Sequence, residues 1–235
     1  MRVVSLVPSA TETLLALGVT PVACTRFCEQ AGIRTVGGTK NPDLEAIIGL
    51  APDLVIVNDE ENRREDADAL VAAGLELHSM SPRSFADVEP AIAAIAGAIG
   101  AAVPAAYGAP ADAEPVARRR CIVFVWRRPW MVLTADTYAA SLLSVLGCDQ
   151  VALGLDGNGC PDENRYPKVD LGAVAVATPA LILLPDEPYA FTDRHRAEVA
   201  DAIPGADVIL VDGRDLFWWG VRTPAALERL RACLA

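Results

Sequence analysis

The sequence is poor in the residues that metal centres, redox pairs and nucleic-acid surfaces require. It has only two histidines, and its six cysteines include no Cys-x-x-Cys pair. Cys24 and Cys28 are four positions apart, a spacing that suits neither a zinc knuckle nor a disulfide framework, so we expect six free thiols and no metal site. The 20 basic residues are outnumbered by 31 acidic ones, which gives a net charge of −11. Nucleic acid is therefore not an expected partner, because its binding needs a basic face.

The chain also lacks a segment that could enter a membrane. Its longest uncharged apolar run, 91–106, contains a proline at 104 and is too short to span a bilayer. Residues 2–7 already have the pattern of a strand, with no basic segment, apolar segment or cleavage site before them. We therefore expect a cytoplasmic protein without membrane insertion.

Familiar catalytic motifs are missing as well. There is no G-x-S-x-G, no phosphate-binding glycine loop and no H-E-x-x-H. His78 and His195 do not stand near a serine or cysteine motif, and a solvated role is favoured for His195 on its predicted helix. The sequence therefore identifies no catalytic residue, and whether the protein is an enzyme stays open.

What the chain does have is an internal repeat. The stretch 44–60 returns as 171–187, with Leu44 matching Leu171 and Pro52 matching Pro179 at one offset, 127 residues (171 − 44 and 179 − 52). A second pair of segments, 3–18 and 132–147, aligns at an offset of 129. Two strand–helix units can resemble each other without common origin, but the agreement of two blocks favours a duplication. With 235 residues, 52% of them hydrophobic, the chain can form two lobes with real cores.

Strands alternating with helices predict two Rossmann-like α/β lobes with parallel sheets, related by internal duplication. We expect an N-terminal lobe over 1–83, a shortened, proline-broken connecting helix and linker over 84–120, and a C-terminal lobe over 121–235. The predicted strands cover 2–7, 21–24, 54–57, 75–78, 121–126 and 207–211, with a strand end and turn at 35–38 and a repeated strand within 171–187. The first predicted helix begins at Ser9, with Glu12 completing a capping box. Further helices are predicted over 42–50, 63–73, 84–103 (or a turn followed by a helix from Pro90), 137–147, 192–203 and the C-terminus from Thr223.

Aromatic residues and arginines are concentrated in the loops that follow the predicted strands. All four tryptophans and three of the four tyrosines lie in such loops of the second lobe. In open α/β sheets ligands bind at the carboxyl ends of the strands, and two facing lobes would form a ligand cleft there. In the first lobe these loops also contain Ser9, Thr11, Phe27, Lys40 and Asn41. The predicted ligand-binding residues are Arg26, Glu60, Glu61, Trp126, Arg127, Trp130, Tyr138, Arg165, Tyr166, Glu187, Tyr189, Asp215, Phe217, Trp218, Trp219 and Arg222.

Other roles are open for individual members of this set. Any one aromatic residue, Trp126 or Trp219 for instance, could be a core residue. Glu60 and Glu187 hold equivalent positions in the repeat. They could be solvated, could hold the arginines of a partner protein, or could work as an acid–base pair.

Several ordered motifs resemble the helical-backbone metal-receptor superfamily, the class III substrate-binding proteins that include the vitamin B12-binding proteins of ABC importers. The resemblance covers most of the chain. The segments that carry it are Val-Ser-Leu-Val-Pro-Ser-Ala-Thr-Glu-Thr-Leu (4–14), Val-Gly-Gly-Thr-Lys-Asn-Pro-Asp-Leu-Glu (36–45), Ala-Pro-Asp-Leu-Val-Ile-Val (51–57) and Arg-Tyr-Pro-Lys-Val (165–169).

The resemblance implies two Rossmann-like lobes joined by a rigid helix, with a corrinoid, haem, iron-siderophore or metal ion as ligand. B12-binding members have an aromatic–proline pair where Tyr166 and Pro167 stand, and an acidic residue where Asp215 precedes Phe217. These positions are implied ligand contacts. A permease of the ABC class is an implied partner only if a signal peptide has been removed.

We therefore interpret the sequence as that of a cytoplasmic two-lobed protein that binds a bulky small-molecule ligand. Cobalamin or another corrinoid is the leading candidate for that ligand. The tryptophans and Tyr166 would offer flat apolar area, and the arginines would hold ligand oxygens. The alternative is an enzyme on the same scaffold that uses cleft Glu and Arg residues on a small polar metabolite. A third is a scaffold that docks a protein through Glu60 and Glu187.

Overall fold

The computed structural model describes residues 1–103, 118–153 and 165–234. They divide into two units, one of 1–82, 86–103 and 218–223, the other of 83–85, 118–153, 165–217 and 224–234. The predicted linker at 104–117, most of the polar loop before Lys168 and Cys160 lie outside the described residues. The exact domain boundaries given above therefore stay a prediction.

The first unit is a parallel sheet with helices between its strands. Its strand order is β3-β2-β1-β4-β5. Its elements are β1 Val3–Ser5, α1 Pro8–Ala16, β2 Ala23–Cys24, β3 Arg34–Thr35, α2 Leu44–Gly49, β4 Leu54–Asn58, α3 Arg64–Ala72, β5 Leu77–Met80 and α4 Val88–Ile99, with a 3₁₀ turn at Arg26–Cys28.

Burial on both faces explains the apolar character of the central strands. Every residue of β1 and β4 is buried, and the core of this unit joins side chains of both strands to Ile47 of α2 and Leu70 of α3. Parallel strands covered on both faces have continuous apolar runs of this kind. The polar groups at their carboxyl ends are thereby placed along one edge of the sheet.

The predicted start of the first helix is wrong in its detail. Val7, whose side chain can accept no hydrogen bond, is the N-cap residue, and α1 begins at Pro8, which is well suited to the first turn of a helix. No capping box joins Ser9 to Glu12. The Glu12 carboxylate instead lies 3.0 Å from the Arg222 guanidinium.

The second unit contains a mixed sheet. Its elements are β6 Arg119–Trp126, β7 Trp130–Val132, α5 Tyr138–Val145, β8 Cys148–Gln150, β9 Lys168–Val169, α6 Leu171–Val176, β10 Leu181–Pro185, α7 Asp193–Ala202, β11 Asp207–Val211, α8 Gly213–Phe217 and α9 Thr223–Leu234. The strand order is β11-β10-β6-β7-β9, with β8 also paired to β6. β10, β11, β6 and β8 are parallel, whereas β7 is antiparallel to both β6 and β9.

The core of the second unit lies against β6 and β10. Ile122 and Phe124 of β6 pack with Ile182 and Leu184 of β10. Val174 of α6, Val199 of α7 and Ile203, which directly follows α7, belong to the same core. The predicted fold class, two α/β lobes built on parallel strands, is confirmed.

The repeat is visible in the detailed geometry of both units. Asp43 caps α2 by accepting from the Ala46 amide, and Asp170, 127 residues later, caps α6 by accepting from the Ala173 amide. Both helices end in a left-handed residue before proline, Ala51 at φ 43° and Thr178 at φ 45°. The first block of the repeat therefore corresponds to one helix–turn–strand unit built twice.

The second predicted alignment, of 3–18 with 132–147, is correct for the helices and wrong for the strands. Gly18 and Gly147 both end their helices with positive φ, at the predicted offset of 129. The strand part fails, because the alignment matches β1 to β7. By pairing, the counterpart of β1 is β6, since each lies between two parallel neighbours. The hairpin of β6 and β7 is an insertion that shifts the alignment.

In the part of the chain that the structure describes, no helix combines the length and the apolar character needed to cross a membrane.

Candidate functional site

An exposed aromatic surface forms where two strands of the second unit end. Trp126 is the last residue of β6, and Tyr189 lies in the loop after β10. Their rings meet edge to face with centroids 5.4 Å apart. The Trp126 side chain is 42% exposed although it is large and apolar. An exposed aromatic ring at the carboxyl end of a strand has the position expected of a ligand contact.

A second layer of rings fixes this surface from below. The Trp130 ring is stacked parallel to that of Phe191 at 6.1 Å and tilted against that of Phe124 at 4.9 Å. Phe191 also lies 4.8 Å from Tyr189. We call Phe124, Trp126, Trp130, Tyr189 and Phe191 the aromatic cluster. Because its lower members belong to the core, the exposed rings are held in place before any ligand arrives.

Arg127 is paired within the protein. Its Nη2 lies 2.7 Å from both carboxylate oxygens of Glu198, and its Nε lies 3.1 Å from Oε2. The guanidinium also lies 5.3 Å from the Trp130 ring. These hydrogen bonds raise the pKa of Arg127 and lower the pKa of Glu198. The predicted ligand-binding arginine is therefore also a support for the aromatic cluster.

His195 completes this side of the cluster and was not among the predicted residues. Its Nδ1 accepts from the Thr192 amide at 3.0 Å, and its ring lies edge-on to Tyr189 and Phe191. Burial, and then the nearby Arg127 charge, lower the pKa of His195, so the neutral imidazole is favoured at neutral pH. The sequence did contain a signal, because Thr192 and His195 have the spacing of a capping box.

Two predicted acidic residues of the second unit are engaged by the protein itself. The Asp215 carboxylate is almost completely buried and accepts two hydrogen bonds from Arg229, at 2.6 and 2.7 Å. Glu187 packs against Gly213, where an added Cβ would lie 2.5 Å from the glutamate Cγ. The Arg214 Nε is 3.9 Å from the Glu187 carboxylate. Asp215 thus has a structural partner, while Glu187 remains partly accessible.

The remaining predicted residues of this unit lie on other elements. Tyr138 is buried at the first turn of α5. Arg165 and Tyr166 are half-buried, and the Arg165 carbonyl accepts from the Thr134 amide at 2.9 Å. Phe217 is half-buried at the end of α8.

In the first unit, a polar network organises the loop after β4. The Lys40 ammonium donates to the Glu60 carbonyl at 2.5 Å. Asn62 donates to the carbonyls of Leu6 and Thr39, at 3.2 and 3.0 Å. The pKa of Lys40 is lowered, because the effect of burial exceeds the opposing effect of the Glu61 charge. The predicted residues Glu60 and Glu61 are both half-buried on this fixed loop.

Residues 218–223 also belong to the first unit. Gly220, at φ 111°, lies so close to α1 that an added Cβ would be 2.5 Å from the Thr13 hydroxyl. Arg222 pairs with Glu12, and its guanidinium lies 5.2 Å from the Trp218 ring. Trp219 is only 3% exposed. Trp219 and Tyr138 are therefore buried core residues, which was the alternative considered for single aromatic residues.

Of the predicted set, the structure brings together Trp126, Arg127, Trp130 and Tyr189 in the second unit, and Trp218 and Arg222 in the first. Arg26 lies in the first unit beside the exposed Phe27. Within the described residues, no group of three His, Cys, Asp or Glu side chains is arranged to hold a metal ion.

The structure defines a two-unit α/β protein with aromatic residues at the strand ends of its second unit. The sequence profile of the periplasmic binding protein family matches residues 3–203. The chain therefore belongs to the periplasmic binding protein family. A comparison with curated protein sequences gives no match.

Solved structures share the fold over the whole chain. The periplasmic vitamin B12-binding protein BtuF of Vibrio cholerae has a TM-score of 0.75 at 19% identity, over 99% of this chain and 96% of that one. The periplasmic haem-binding protein RhuT from Roseiflexus sp. RS-1 has a TM-score of 0.76 at 20% identity, over 99% and 97%. The haem-binding protein HutB of Vibrio cholerae reaches 0.73 at 18% identity, over 100% and 98%. At these identities the likeness establishes the fold.

Proposed function

We propose that this protein binds a large, partly aromatic macrocycle of the cobalamin or haem type and releases it chemically unchanged. The observation that carries the proposal is the exposed Trp126 ring, held edge-on against Tyr189 above fixed core rings. Supporting it are the similar structures, whose names describe proteins that bind vitamin B12 or haem.

The physical basis is the burial of aromatic area on a surface that is already ordered. A macrocycle that covers Trp126 and Tyr189 gains apolar contact on rings that are already packed, because Trp126 lies against Tyr189, Tyr189 lies against Phe191, and Phe191 stacks on Trp130. Arg127 does not need to change partner, since Glu198 satisfies its guanidinium. This arrangement suits retention of a ligand by contact and shape.

The test is isothermal titration calorimetry with cyanocobalamin and with haemin, on the wild type and two variants. Trp126→Ala removes the exposed ring, whereas Val176→Ala trims a residue that is 84% exposed on α6 and outside the aromatic cluster. The proposal expects saturable 1:1 binding of at least one macrocycle, weakened in Trp126→Ala and unchanged in Val176→Ala. Equal loss in both variants, or no binding by the wild type, would refute it.

The same samples separate binding from catalysis. Macrocycle recovered after prolonged incubation should have its original mass and absorption spectrum, with stoichiometric retention. Progressive conversion of the ligand would instead favour the enzyme alternative. The cytoplasmic location and the conditional ABC permease partner stay predictions, and fractionation of the native host with an antibody against the protein tests the first.

A further inference from the structure

Three arginines in the described residues lie over aromatic rings, and their electrostatic partners differ. Arg127 lies over Trp130 and is held by Glu198. Arg222 lies over Trp218 and is held by Glu12. Arg26 lies over Phe27, with its Cζ 4.7 Å from the ring centroid. No hydrogen bond or ion pair joins the Arg26 guanidinium to any other described residue.

The absence of a carboxylate partner for Arg26 among the described residues is notable because this chain has many acidic residues. At a net charge of −11, the protein has more carboxylates than it needs to pair every arginine. The guanidinium is a rigid fork that matches a carboxylate with two hydrogen bonds. The Arg26 guanidinium can therefore donate hydrogen bonds to a ligand carboxylate beside Phe27, whose side chain is 47% exposed.

A tight hairpin holds the Arg26–Phe27 pair in this position. Gly38 and Asn41 exchange backbone hydrogen bonds at 3.2 and 3.3 Å, and the Gly37 carbonyl accepts from the Arg26 amide at 2.9 Å. A Cβ added to Gly38 would lie 3.0 Å from the Phe27 ring, 3.1 Å from the Arg26 Cζ and 2.6 Å from the Asn41 side chain. A side chain at position 38 would therefore displace the Arg26, Phe27 and Asn41 side chains from these positions.

We propose that Arg26 and Phe27 form a subsite for a planar conjugated ligand that carries a carboxylate. The ring would stack on Phe27 and the carboxylate would take the place that Glu198 and Glu12 occupy beside the other two arginines. This inference rests on the proposed function and narrows it. It favours a porphyrin with its acidic side chains over a corrinoid, such as cobalamin, whose side chains are amides.

The experiment compares protoporphyrin IX with cyanocobalamin in equilibrium titrations of the wild type, Arg26→Gln, Arg26→Lys and Phe27→Leu. Arg26→Gln should weaken protoporphyrin binding about tenfold, the size of a lost charge-assisted hydrogen bond, and leave cyanocobalamin binding unchanged. Arg26→Lys should recover part of the loss, because it restores the charge without the fork. Phe27→Leu should weaken protoporphyrin binding while leaving the salt dependence of that binding in place.

Gly38→Ala tests the positioning, with Gly49→Ala as its matched control. Neither glycine needs a positive φ, but Gly49 has nothing within 4 Å of an added Cβ. Gly38→Ala should weaken protoporphyrin binding while the protein still unfolds cooperatively, and Gly49→Ala should bind as the wild type does.

The outcomes distinguish this inference from the function on which it rests. Protoporphyrin binding that is unaffected in Arg26→Gln and Phe27→Leu overturns the subsite and leaves the binding function standing. Tighter binding of cyanocobalamin than of protoporphyrin overturns it as well. Failure of the wild type to bind either macrocycle overturns the function and the subsite together.

Discussion

Trp126 and Trp219 are the same residue type in opposite environments. Trp126 ends a strand and is 42% exposed, whereas Trp219 is 3% exposed. Sequence context does not separate them, because both stand near arginines in loops after predicted strands. Their difference comes from tertiary packing, which decides whether a large apolar ring is available to a ligand.

Alanine at these two positions should therefore have opposite effects. Trp219→Ala should lower the free energy of unfolding by about 3–5 kcal/mol, because it empties a buried site. Trp126→Ala should cost about 1 kcal/mol or less of stability, yet weaken macrocycle binding by at least about 30-fold, as removal of an exposed anchor does. Urea unfolding and calorimetric titration of both variants measure the two effects. A large stability loss in Trp126→Ala with unchanged affinity would contradict the site.

The cysteines give a second residue-scale prediction. Among the described residues, Cys24, Cys28, Cys121 and Cys148 are buried free thiols and Cys233 is exposed. Burial raises the pKa of Cys121 and Cys148, whereas hydrogen bonds from Cys24 and Thr11 lower that of Cys28 to about 6. Iodoacetamide should label Cys233 in the native protein and leave these four unlabelled. In a separate unlabelled sample, denaturation without reductant should expose six free thiols, as expected from the sequence.

Peptide mapping by mass spectrometry reads the outcome residue by residue. Cys28 is the most informative position, because its lowered pKa favours the reactive thiolate while burial blocks access. Native labelling of Cys28 would show that the loop after β2 opens in solution. A denatured count of four would instead reveal a disulfide.

At the scale of elements, the repeated helix–turn–strand unit contains a strained turn in both copies. Ala51 and Thr178 both adopt the left-handed conformation, which costs residues with a Cβ about 1 kcal/mol or more. The backbone is held there by capped helices on one side and buried strands on the other.

Glycine at these turns should therefore stabilise the protein. Ala51→Gly should raise the free energy of unfolding by about 0.5–1 kcal/mol, and Thr178→Gly by at least as much because threonine is β-branched. The matched control is Ala69→Gly, the same change at an exposed position inside α3, which should lower stability by about 1 kcal/mol. Chemical denaturation of the three variants tests the sign. Loss of stability in Ala51→Gly would remove the strain argument.

Elements with strong local signals were predictable from the sequence. β11 occupies the predicted residues 207–211, and Thr137 caps α5 at the predicted start. β7 and β9 were missed, because strands of two or three residues are defined by their pairing partners rather than by a pattern of their own. The same hairpin displaced the second alignment of the repeat.

The candidate site was predictable as a set of loops and not as a set of contacts. Trp126 and Tyr189 were identified by their position after strands. The partners of Arg127 and Asp215, which are Glu198 and Arg229, lie on helices with no sequence signal that links them. Such pairs depend on how helices pack against the sheet, which a single sequence does not specify.

At the scale of the whole molecule, the acidic composition has a consequence for ligand choice. A net charge of −11 repels an anionic ligand at long range, and salt should reduce that repulsion. An acidic macrocycle would therefore depend on a local unpaired cation, for which Arg26 is the candidate in the first unit. Membership of the periplasmic binding protein family agrees with a ligand held by contact.

The central claim is that this protein retains a macrocycle without changing it. Native mass spectrometry tests it most directly, on freshly purified protein and after incubation with equimolar protoporphyrin IX or cyanocobalamin. We expect a 1:1 complex at the summed mass with at least one of them, and a released ligand of unchanged mass. Free protein alone in every mixture, or a released ligand of altered mass, would contradict it.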